Sequence, residues 1–192
     1  SYGGDGTLMH AEHAYPGIPK IVLKNSLICK RCSLLTNEEV LKRIIKGKYY
    51  KEELIKLEVK SGGRKLYAIN DIAVHNKDPR HAIRYILSVN GKIVGSSIIG
   101  DGVVVATPFG SMAYYRSITD SFFELGIGLA FNNSTEQSDH MVLKENSIIK
   151  IKIIRGPAVI YADNQEQELV ASEGKEIIIK KSILKTAIVI PR

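Results

Sequence analysis

A glycine-rich corner at the start of the chain carries the first residue that could do chemistry. Gly3, Gly4 and Gly6 surround Asp5 in the run Gly-Gly-Asp-Gly-Thr. The run predicts a loop through Thr7, followed by a helix over Leu8–Ala14. Adjacent glycines let backbone N–H groups approach phosphate oxygens closely, and the helix that follows them adds its positive dipole. A carboxylate repels phosphate, so Asp5 fits better as a general base for a hydroxyl, or as a group that orients one. An ordinary Gly-Asp-Gly turn explains the same residues without any function.

An adjacent polar pair, Asn70 and Asp71, interrupts an apolar run. The apolar residues on both sides predict a strand over Leu66–Val74. Neighbouring side chains of a strand point to opposite faces, so one of the two could face a cleft. An amide offers a donor and an acceptor, and a carboxylate can accept from two ribose hydroxyls. A bulge or strand end that exposes both residues to water is the alternative.

The third candidate stretch covers residues 100–114. It begins with Gly100-Asp101-Gly102 and continues with the apolar run Val103–Ala106. It ends with Thr-Pro-Phe-Gly-Ser-Met-Ala-Tyr, whose last residue is Tyr114. This order predicts a buried strand, a Pro/Gly turn, and one or two helical turns over Ser111–Ser117. Ser111 could cap that helix or hold a ligand. Tyr114 could stack on a purine or lie in the core. A strand–turn–helix corner without function is again the alternative.

The pair Cys29 and Cys32 is interpreted as structural. A redox pair of this spacing usually follows a strand and opens a helix, and a zinc site needs two further ligands. The five histidines have no metal-ligand spacing. No nucleophile elbow of the G-x-S-x-G type is present either. The sequence therefore predicts no resident metal and no hydrolase.

Taken in order, these motifs resemble those of the NAD kinase family. Gly3–Thr7 matches its G-G-D-G-T, and Asn70-Asp71 matches its Asn-Glu or Asn-Asp pair. Asp101–Tyr114 matches D-G followed by T-P-x-G-S-x-A-Y, and Asp163–Gln165 stands where the family has a D-G-x turn. The first motif also occurs in diacylglycerol and sphingosine kinases. Its combination with the other two is far more specific.

The resemblance implies transfer of a phosphoryl group from ATP or polyphosphate to the 2′-hydroxyl of the adenosine ribose of NAD. Asp5 would be the general base, Gly4 and Gly6 would shape the turn near the phosphates, and His10 would touch phosphate. Mg²⁺ or another divalent ion would accompany ATP. The family assembles as dimers or tetramers, so a homodimer or homotetramer is expected.

The resemblance also implies a set of dinucleotide contacts. Asn70 and Asp71 would hold ribose or nicotinamide groups, and Asp101 would bind the other end of the dinucleotide. The residues around Tyr114 would wrap the adenine. The full expected set is Asn70, Asp71, Asp101, Phe109, Met112, Ala113, Tyr114, Ser117, Ala130 and Gln165.

Several residues depart from the family pattern. Phe109 and Met112 replace small residues near the expected adenine pocket. Asn164 replaces the glycine of the D-G-x turn, and because asparagine tolerates positive φ the turn is expected to persist with that conformation at Asn164. The family places a strand–helix–strand segment before G-G-D-G-T, so an N-terminally truncated or short form is expected. Two alternatives to a NAD kinase stay open. One is a catalytically silent dinucleotide-binding module, and the other is a related kinase that acts on a lipid or another hydroxyl.

The elements that position these groups follow from the hydrophobic period. A capping box at Thr36–Glu39 predicts a helix that ends near Gly47. After that glycine the period changes from 3.6 to 2, as in Ile55–Val59. The dipeptide Asn90-Gly91 predicts a hairpin. Two further strands are predicted at Glu176–Lys180 and Ala187–Ile190.

These elements predict an α/β start followed by a long β-rich remainder. We expect a partial α/β nucleotide-binding domain over residues 1–50 and a β-sandwich-like domain over residues 51–192, related in fold to NAD kinases and diacylglycerol kinases. The last strand is expected to return to the N-terminal domain.

Composition excludes several classes of protein. The chain has 192 residues, of which 44% are apolar and 24% charged, so it is not collagen-like, mucin-like or wholly disordered. The net charge of +7 admits an anionic partner such as a nucleotide. The lysines are dispersed and aromatic residues are few, which argues against nucleic acid. No apolar run approaches a membrane span and no signal peptide opens the chain, so a cytoplasmic location and no membrane partner are expected.

Overall fold

The chain divides into two units in a computed structural model that describes residues 1–27, 32–136 and 140–192. The smaller unit comprises residues 1–55 and 184–192, and the larger unit comprises residues 56–183. Two strands, β4 (Tyr49–Ser61) and β15 (Glu176–Pro191), contribute residues to both units. Cys29 of the predicted cysteine pair lies outside the described residues.

The smaller unit consists of short strands and two helices. Strand β1 (Tyr2–Gly3) pairs in parallel with β3 (Leu23–Lys24), and β2 (Lys20–Ile21) pairs in parallel with the end of β15. Helix α1 (Asp5–Ala14) follows β1, and helix α2 (Asn37–Ile45) precedes β4. The unit therefore begins with a strand, a glycine turn and a helix.

Helix α1 begins earlier than the sequence indicated. The glycine pattern predicts a loop through Thr7 with a helix from Leu8, and this prediction is wrong. The Gly4 carbonyl accepts the N–H groups of Thr7 and Leu8 at 3.1 and 3.2 Å, which closes the first helical turn around Gly6. An acidic residue in the first turn is favoured by the helix dipole, so Asp5 is compatible with this position.

The capping box at the start of α2 is confirmed. Thr36 Oγ1 accepts the Glu39 N–H at 3.3 Å, and Glu39 Oε2 accepts the Thr36 N–H at 2.9 Å. Gly47 follows the helix with a φ of +70°, the left-handed conformation that glycine adopts most readily. Val40 is the buried residue of the helix.

The larger unit contains two β-sheets. The six-stranded sheet has the order β11–β10–β9–β6–β13–β14, with antiparallel neighbours throughout. The second sheet has the order β5–β4–β15–β12–β7–β8. A 3₁₀ turn (Gly110–Met112) and helix α3 (Tyr114–Thr119) connect β9 to β10. The strands not yet defined are β5 (Arg64–Ala68), β6 (Asp71–Asn76), β7 (Ile83–Val89), β8 (Lys92–Gly100), β9 (Gly102–Ala106), β10 (Ile127–Asn132), β11 (His140–Leu143), β12 (Ile148–Arg155), β13 (Ala158–Ala162) and β14 (Leu169–Ala171).

Residues from both sheets form one apolar core in the larger unit. Alternate side chains enter it, such as Ile72 and Val74 of β6 and Ile177 and Ile179 of β15, each at most 1% exposed. Two sheets whose inner faces share a core are the hallmark of a sandwich. The predicted fold class, an α/β start followed by a large β-rich domain, is confirmed.

The hairpin prediction is confirmed and the last two strands are corrected. Asn90 and Gly91 join β7 to β8 with φ angles of +51° and +79°. The two strands predicted after residue 175 are in fact one, β15. No glycine or proline stands between Lys180 and Ala187, and the strand pairs with β12 along its first part and with β2 near its end.

Candidate functional site

The polar pair Asn70 and Asp71 lies at the junction of two strands. The single strand predicted over Leu66–Val74 is wrong, because β5 ends at Ala68 and β6 begins at Asp71. Asn70 Nδ2 donates to Asp71 Oδ2 at 2.7 Å. Both residues are buried, at 9% and 8% exposure. The pair is therefore neither split across two sheet faces nor open to water.

The carboxylate of Asp163, the residue directly after β13, binds the backbone at this junction of the two strands. Asp163 accepts the N–H groups of Ile69 and Asn70 at 2.8 Å and that of Asp71 at 3.1 Å. Burial raises the pKa of Asp163 to about 6, against the opposing effects of these three N–H groups and of the Lys56 ammonium. The backbone of the junction is thus ordered by one side chain.

The turn that carries this carboxylate differs slightly from the sequence expectation. The positive φ expected at Asn164 lies at Asp163 instead, at +52°. Gln165 then donates its N–H to the Ala162 carbonyl at 3.2 Å and its Nε2 to the Tyr67 carbonyl at 2.6 Å. The side-chain amide of Gln165 is thereby bound to β5.

The Thr-Pro-Phe-Gly turn packs directly on the same junction. The Thr107 N–H donates to the Asn70 carbonyl at 2.9 Å, and Thr107 Oγ1 donates to the Ile69 carbonyl at 2.6 Å. The Gly110 N–H donates back to Thr107 Oγ1 at 3.1 Å. A Cβ on Gly110 would lie 2.0 Å from the Asn70 oxygen, so only glycine fits. The polar pair and the turn form one hydrogen-bonded unit, which we call the Asn70–Gly110 junction.

Helix α3 lies on the outer face of the six-stranded sheet. Tyr115 and Phe123 pack there on Ala106 and Ala130, which are fully buried. A Cβ on Gly128 would lie 2.2 Å from the Phe123 ring. Small residues on these strands therefore let the helix approach the sheet closely. Ala130 lies under this cluster, and its contact with a ligand stays a prediction.

A polar network surrounds the hydroxyl of Tyr114. Its oxygen lies 3.2 Å from His75 Nε2 and 3.1 Å from Asn132 Nδ2, and these two nitrogens are 2.9 Å apart. His75 Nδ1 lies 2.5 Å from Asn76 Oδ1, and Asn76 Nδ2 donates to Asp101 Oδ1 at 3.1 Å. Hydrogen bonds thus connect Tyr114 to Asp101 without a break.

Two carboxylates of the larger unit that are predicted to bind the dinucleotide act electrostatically on the hydroxyl of Tyr114. The pKa of Tyr114 is raised by burial first, and then by the nearby carboxylates of Asp71 and Asp101. Asn133 Nδ2 donates to Asp101 Oδ2 at 2.7 Å and helps to orient that carboxylate. Asn70, Asp71, Asp101 and Tyr114 are therefore brought together, as the motifs predicted.

The other predicted residues of this unit lie along the turn and α3. Phe109 is buried at the start of the 3₁₀ turn, whereas Met112 is 43% exposed. Ala113 is half-buried just before α3. Ser117 is exposed, and its Oγ donates to the Tyr114 carbonyl at 2.7 Å. Ligand contact by these four side chains stays a prediction.

The remaining predicted residues belong to the smaller unit. Gly4 is the N-cap of α1, and Asp5 and Gly6 lie in its first turn. A Cβ on the preceding Gly3 would lie 2.2 Å from the Thr7 hydroxyl, so the corner excludes a side chain there. His10 is exposed on the same helix. The strand–glycine–helix form expected for a phosphate-binding corner is present in this unit.

Several residues of the site were not identified from the sequence. The sequence patterns mark Asp163 only as part of a turn and Thr107 only as part of a motif. They do not mark His75 or Asn132. A signal was available for His75 and Asn132, because each belongs to a polar pair that follows a run of apolar residues, as the pair at Asn70 does.

Two negative findings apply to the described part of the chain, residues 1–27, 32–136 and 140–192. No group of three or more His, Cys, Asp and Glu side chains there could hold a metal ion. No helix in the same residues has the length and apolarity needed to cross a membrane.

Sequence comparisons place these features in a family. A family model described as the ATP-NAD kinase C-terminal domain matches residues 69–190, more than half of the chain. The chain is 27% identical over 196 residues to a bifunctional NADP phosphatase/NAD kinase of Methanococcus maripaludis, covering 95% of this chain and 34% of that protein. It is 28% identical over 201 residues to a NAD kinase of Pyrococcus furiosus, covering 97% and 70%. The chain therefore spans about a third of the length of the Methanococcus relative.

Two solved structures share the fold. A yeast NADH kinase complexed with NADH matches with a TM-score of 0.84 at 22% identity, over 100% of this chain and 60% of the yeast chain. A NAD kinase from Archaeoglobus fulgidus in complex with ATP matches with a TM-score of 0.76 at 24% identity, over 98% and 75%. The family model spans the whole Asn70–Gly110 junction and Asp163. The chain belongs to the ATP-NAD kinase family.

Proposed function

We propose that this chain carries NAD kinase activity. It transfers a phosphoryl group from ATP or polyphosphate to the 2′-hydroxyl of the adenosine ribose of NAD, which gives NADP. The Asn70–Gly110 junction carries this proposal, because its two motifs lie within the stretch matched by the ATP-NAD kinase model and bind each other directly. The Pyrococcus furiosus relative, itself a NAD kinase, supports the same activity.

In this proposal the larger unit binds the dinucleotide. Asn70 and Asp71 hold ribose or nicotinamide groups, and Asp101 binds the other end of the molecule. Tyr114 wraps the adenine together with Phe109, Met112, Ala113 and Ser117, while Ala130 and Gln165 make further contacts. Asp163 and Thr107 support this function because they order the backbone that presents Asn70 and Asp71. A preordered site loses less entropy when its ligand binds.

The smaller unit supplies the chemistry. A ribose hydroxyl is a poor nucleophile at neutral pH, and the Asp5 carboxylate accepts its proton as the new P–O bond forms. A general base of this kind typically contributes about 10²–10⁴-fold to the rate. Gly4 and Gly6 leave room for backbone N–H groups of the first turn of α1 to bind phosphate oxygens. His10, exposed on the same helix, contacts phosphate.

The donor brings a divalent ion with it. Mg²⁺ takes oxygen ligands, and in kinases one or two carboxylates hold it together with the donor phosphates. No group of three or more His, Cys, Asp and Glu side chains among the described residues could hold such an ion by itself, so in this proposal the donor phosphates supply most of its oxygen ligands. When bound, it neutralises charge on the transferred group.

The remaining parts of the proposal follow from the family resemblance. The chain acts in the cytoplasm and assembles as a homodimer or homotetramer. Gel filtration with light scattering measures the second of these statements. A monomer at micromolar concentration contradicts it.

The test is NADP formation after incubation of the chain with NAD, ATP and Mg²⁺, measured by chromatography. We expect Asp5→Asn to lower the rate by about 10²–10⁴-fold while NAD affinity stays within about twofold. The matched control is Asp120→Asn, because Asp120 is exposed and its φ of +52° suits asparagine. Full turnover by Asp5→Asn removes Asp5 from the base role.

The wild-type chain separates the alternatives in the same assay. NAD binding without NADP formation identifies a catalytically silent dinucleotide-binding module. Product formed only from a lipid or another hydroxyl compound identifies a related kinase. Either result overturns the proposed activity.

A further inference from the structure

The imidazole of His75 occupies a special place in the six-stranded sheet. His75 of β6 and Asn132 of β10 both pair with Gly102 of β9, so the three residues form one row across three strands. The central residue of this row has no side chain. The outer side chains therefore meet above it, with His75 Nε2 and Asn132 Nδ2 2.9 Å apart. Tyr114 adds its hydroxyl to this pair from the start of α3.

The hydrogen bonds determine which nitrogen of His75 carries the proton. Asn76 Nδ2 faces two acceptors, the His81 carbonyl at 3.2 Å and Asp101 Oδ1 at 3.1 Å. The oxygen of the Asn76 amide must then face His75, so His75 Nδ1 is the donor of that pair. In a neutral ring Nε2 is consequently an acceptor, and it faces the N–H of Asn132 and the O–H of the tyrosine.

This tautomer gives the Tyr114 hydroxyl one acceptor and one donor. Nε2 of His75 accepts from the Tyr114 O–H, and the Tyr114 oxygen accepts from Asn132 Nδ2 at 3.1 Å. The hydroxyl of Tyr114, and with it the end of the phenol ring, is thereby held by His75 on one side and by Asn132 on the other. A side chain held before ligand binding loses less freedom when the ligand arrives, so the interaction improves affinity more than turnover.

We infer that His75 is a positioning residue for dinucleotide binding. Its unprotonated Nε2 holds the Tyr114 phenol at the adenine side of the site, and its Nδ1–H holds Asn76, which orients the Asp101 carboxylate. This inference rests on the proposed function, because the family resemblance assigns Tyr114 and Asp101 to the dinucleotide. His75 itself touches neither NAD nor ATP in this role.

Three substitutions separate the two hydrogen bonds of the ring. Asparagine places its amide nitrogen as many bonds from Cβ as Nδ1, so His75→Asn keeps the bond to Asn76 and loses the one to Tyr114. Glutamine places its amide oxygen as many bonds from Cβ as Nε2, so His75→Gln keeps an acceptor for Tyr114. The variant His75→Phe keeps a ring and loses both bonds. Circular dichroism and thermal melting confirm that each variant is folded.

We expect His75→Asn and His75→Phe to raise KM for NAD about tenfold, the effect of losing one or two hydrogen bonds, with kcat within about twofold. We expect His75→Gln to restore KM to within about threefold of the wild type. A merely structural role would lower kcat and stability in all three variants without this split. An unchanged KM in His75→Asn, or no rescue by His75→Gln, overturns the inference.

Two readouts keep this test independent of the activity. If the wild-type chain binds NAD but makes no NADP, the proposed function fails, and the same order of variants is measured in Kd by calorimetry. If the chain does not bind NAD, both proposals fail. Long-range ¹H–¹⁵N spectra of the labelled chain report the tautomer directly. We expect the proton of His75 on Nδ1, and a proton on Nε2 at neutral pH overturns the inference.

Discussion

Gly110 is the residue at which the Asn70–Gly110 junction tolerates the least change. In Gly110→Ala the new Cβ would lie 2.0 Å from the Asn70 oxygen and 2.5 Å from its carbonyl carbon. Ordinary contact begins near 3.4 Å. Both atoms belong to the backbone, so no side-chain rotation relieves the clash. The Asn70 carbonyl must move, and it then loses the N–H of Thr107.

The expected loss of stability follows from these two effects. Overpacking of a core position costs about 1–3 kcal/mol, and a buried hydrogen bond left unmade costs about 1–3 kcal/mol more. Alanine also restricts the unfolded chain, which offsets about 0.4–1 kcal/mol. We therefore expect Gly110→Ala to lower the free energy of unfolding by about 2–5 kcal/mol, the range that these opposing effects leave.

Urea unfolding followed by circular dichroism measures this loss. Gly91→Ala is the matched control, because Gly91 has a φ of +79° and no atom within 4 Å of its added Cβ. Its cost is left-handed strain alone, about 1–2 kcal/mol. Calorimetry should show that NAD binding is lost only in Gly110→Ala. The reasoning is refuted if Gly110→Ala unfolds at the same urea concentration as Gly91→Ala or higher.

Two further predictions concern acidic side chains that are partly or fully withdrawn from water. The pKa of Asp163 is raised to about 6, above the unfolded value of about 3.9, so its contribution to stability is complete below pH 4 and is lost as pH rises through 6. The unfolding free energy of the wild type relative to Asp163→Asn should fall by about 3 kcal/mol between pH 4 and 7, and a constant difference contradicts this. Glu12 forms an ion pair with Lys20, and both side chains are at most 5% exposed. Glu12→Gln should therefore lower the free energy of unfolding in urea by about 3–5 kcal/mol. The control Glu38→Gln, in an exposed ion pair with Lys42, should lower it by less than about 0.5 kcal/mol. Equal losses would refute the conclusion that the Glu12–Lys20 pair is a buried ion pair.

Local features of the fold were predictable because their partners are close in sequence. Thr36 and Glu39 are three residues apart, and their capping box depends only on their own side chains and backbone. Asn90 and Gly91 form a hairpin turn because both accept positive φ. The start of α1 could not be predicted because the Gly3–Thr7 run is equally compatible with a loop. The hydrogen bonds from the Thr7 and Leu8 N–H groups to the Gly4 carbonyl show that the helix begins before Thr7.

The sequence motifs named part of the candidate site and did not give its geometry. The motifs named Asn70, Asp71, Asp101 and Tyr114, and the structure brings these residues together. The opposite-face reading of Asn70 and Asp71 failed because it assumed an unbroken strand. The chain is turned there by Asp163, which lies more than 90 residues later. No local pattern reveals a partner at that separation.

The sequence by itself determined the order of the motifs, the period of the strands and the caps and turns, since these depend on neighbouring residues. Only the tertiary structure decided which polar groups bind one another. His75 and Asn132 are 57 residues apart and meet because both strands pair with β9 at Gly102. The physical reason is that a polar group partly withdrawn from water needs a partner, and strand register, rather than distance along the chain, determines which partners are within reach.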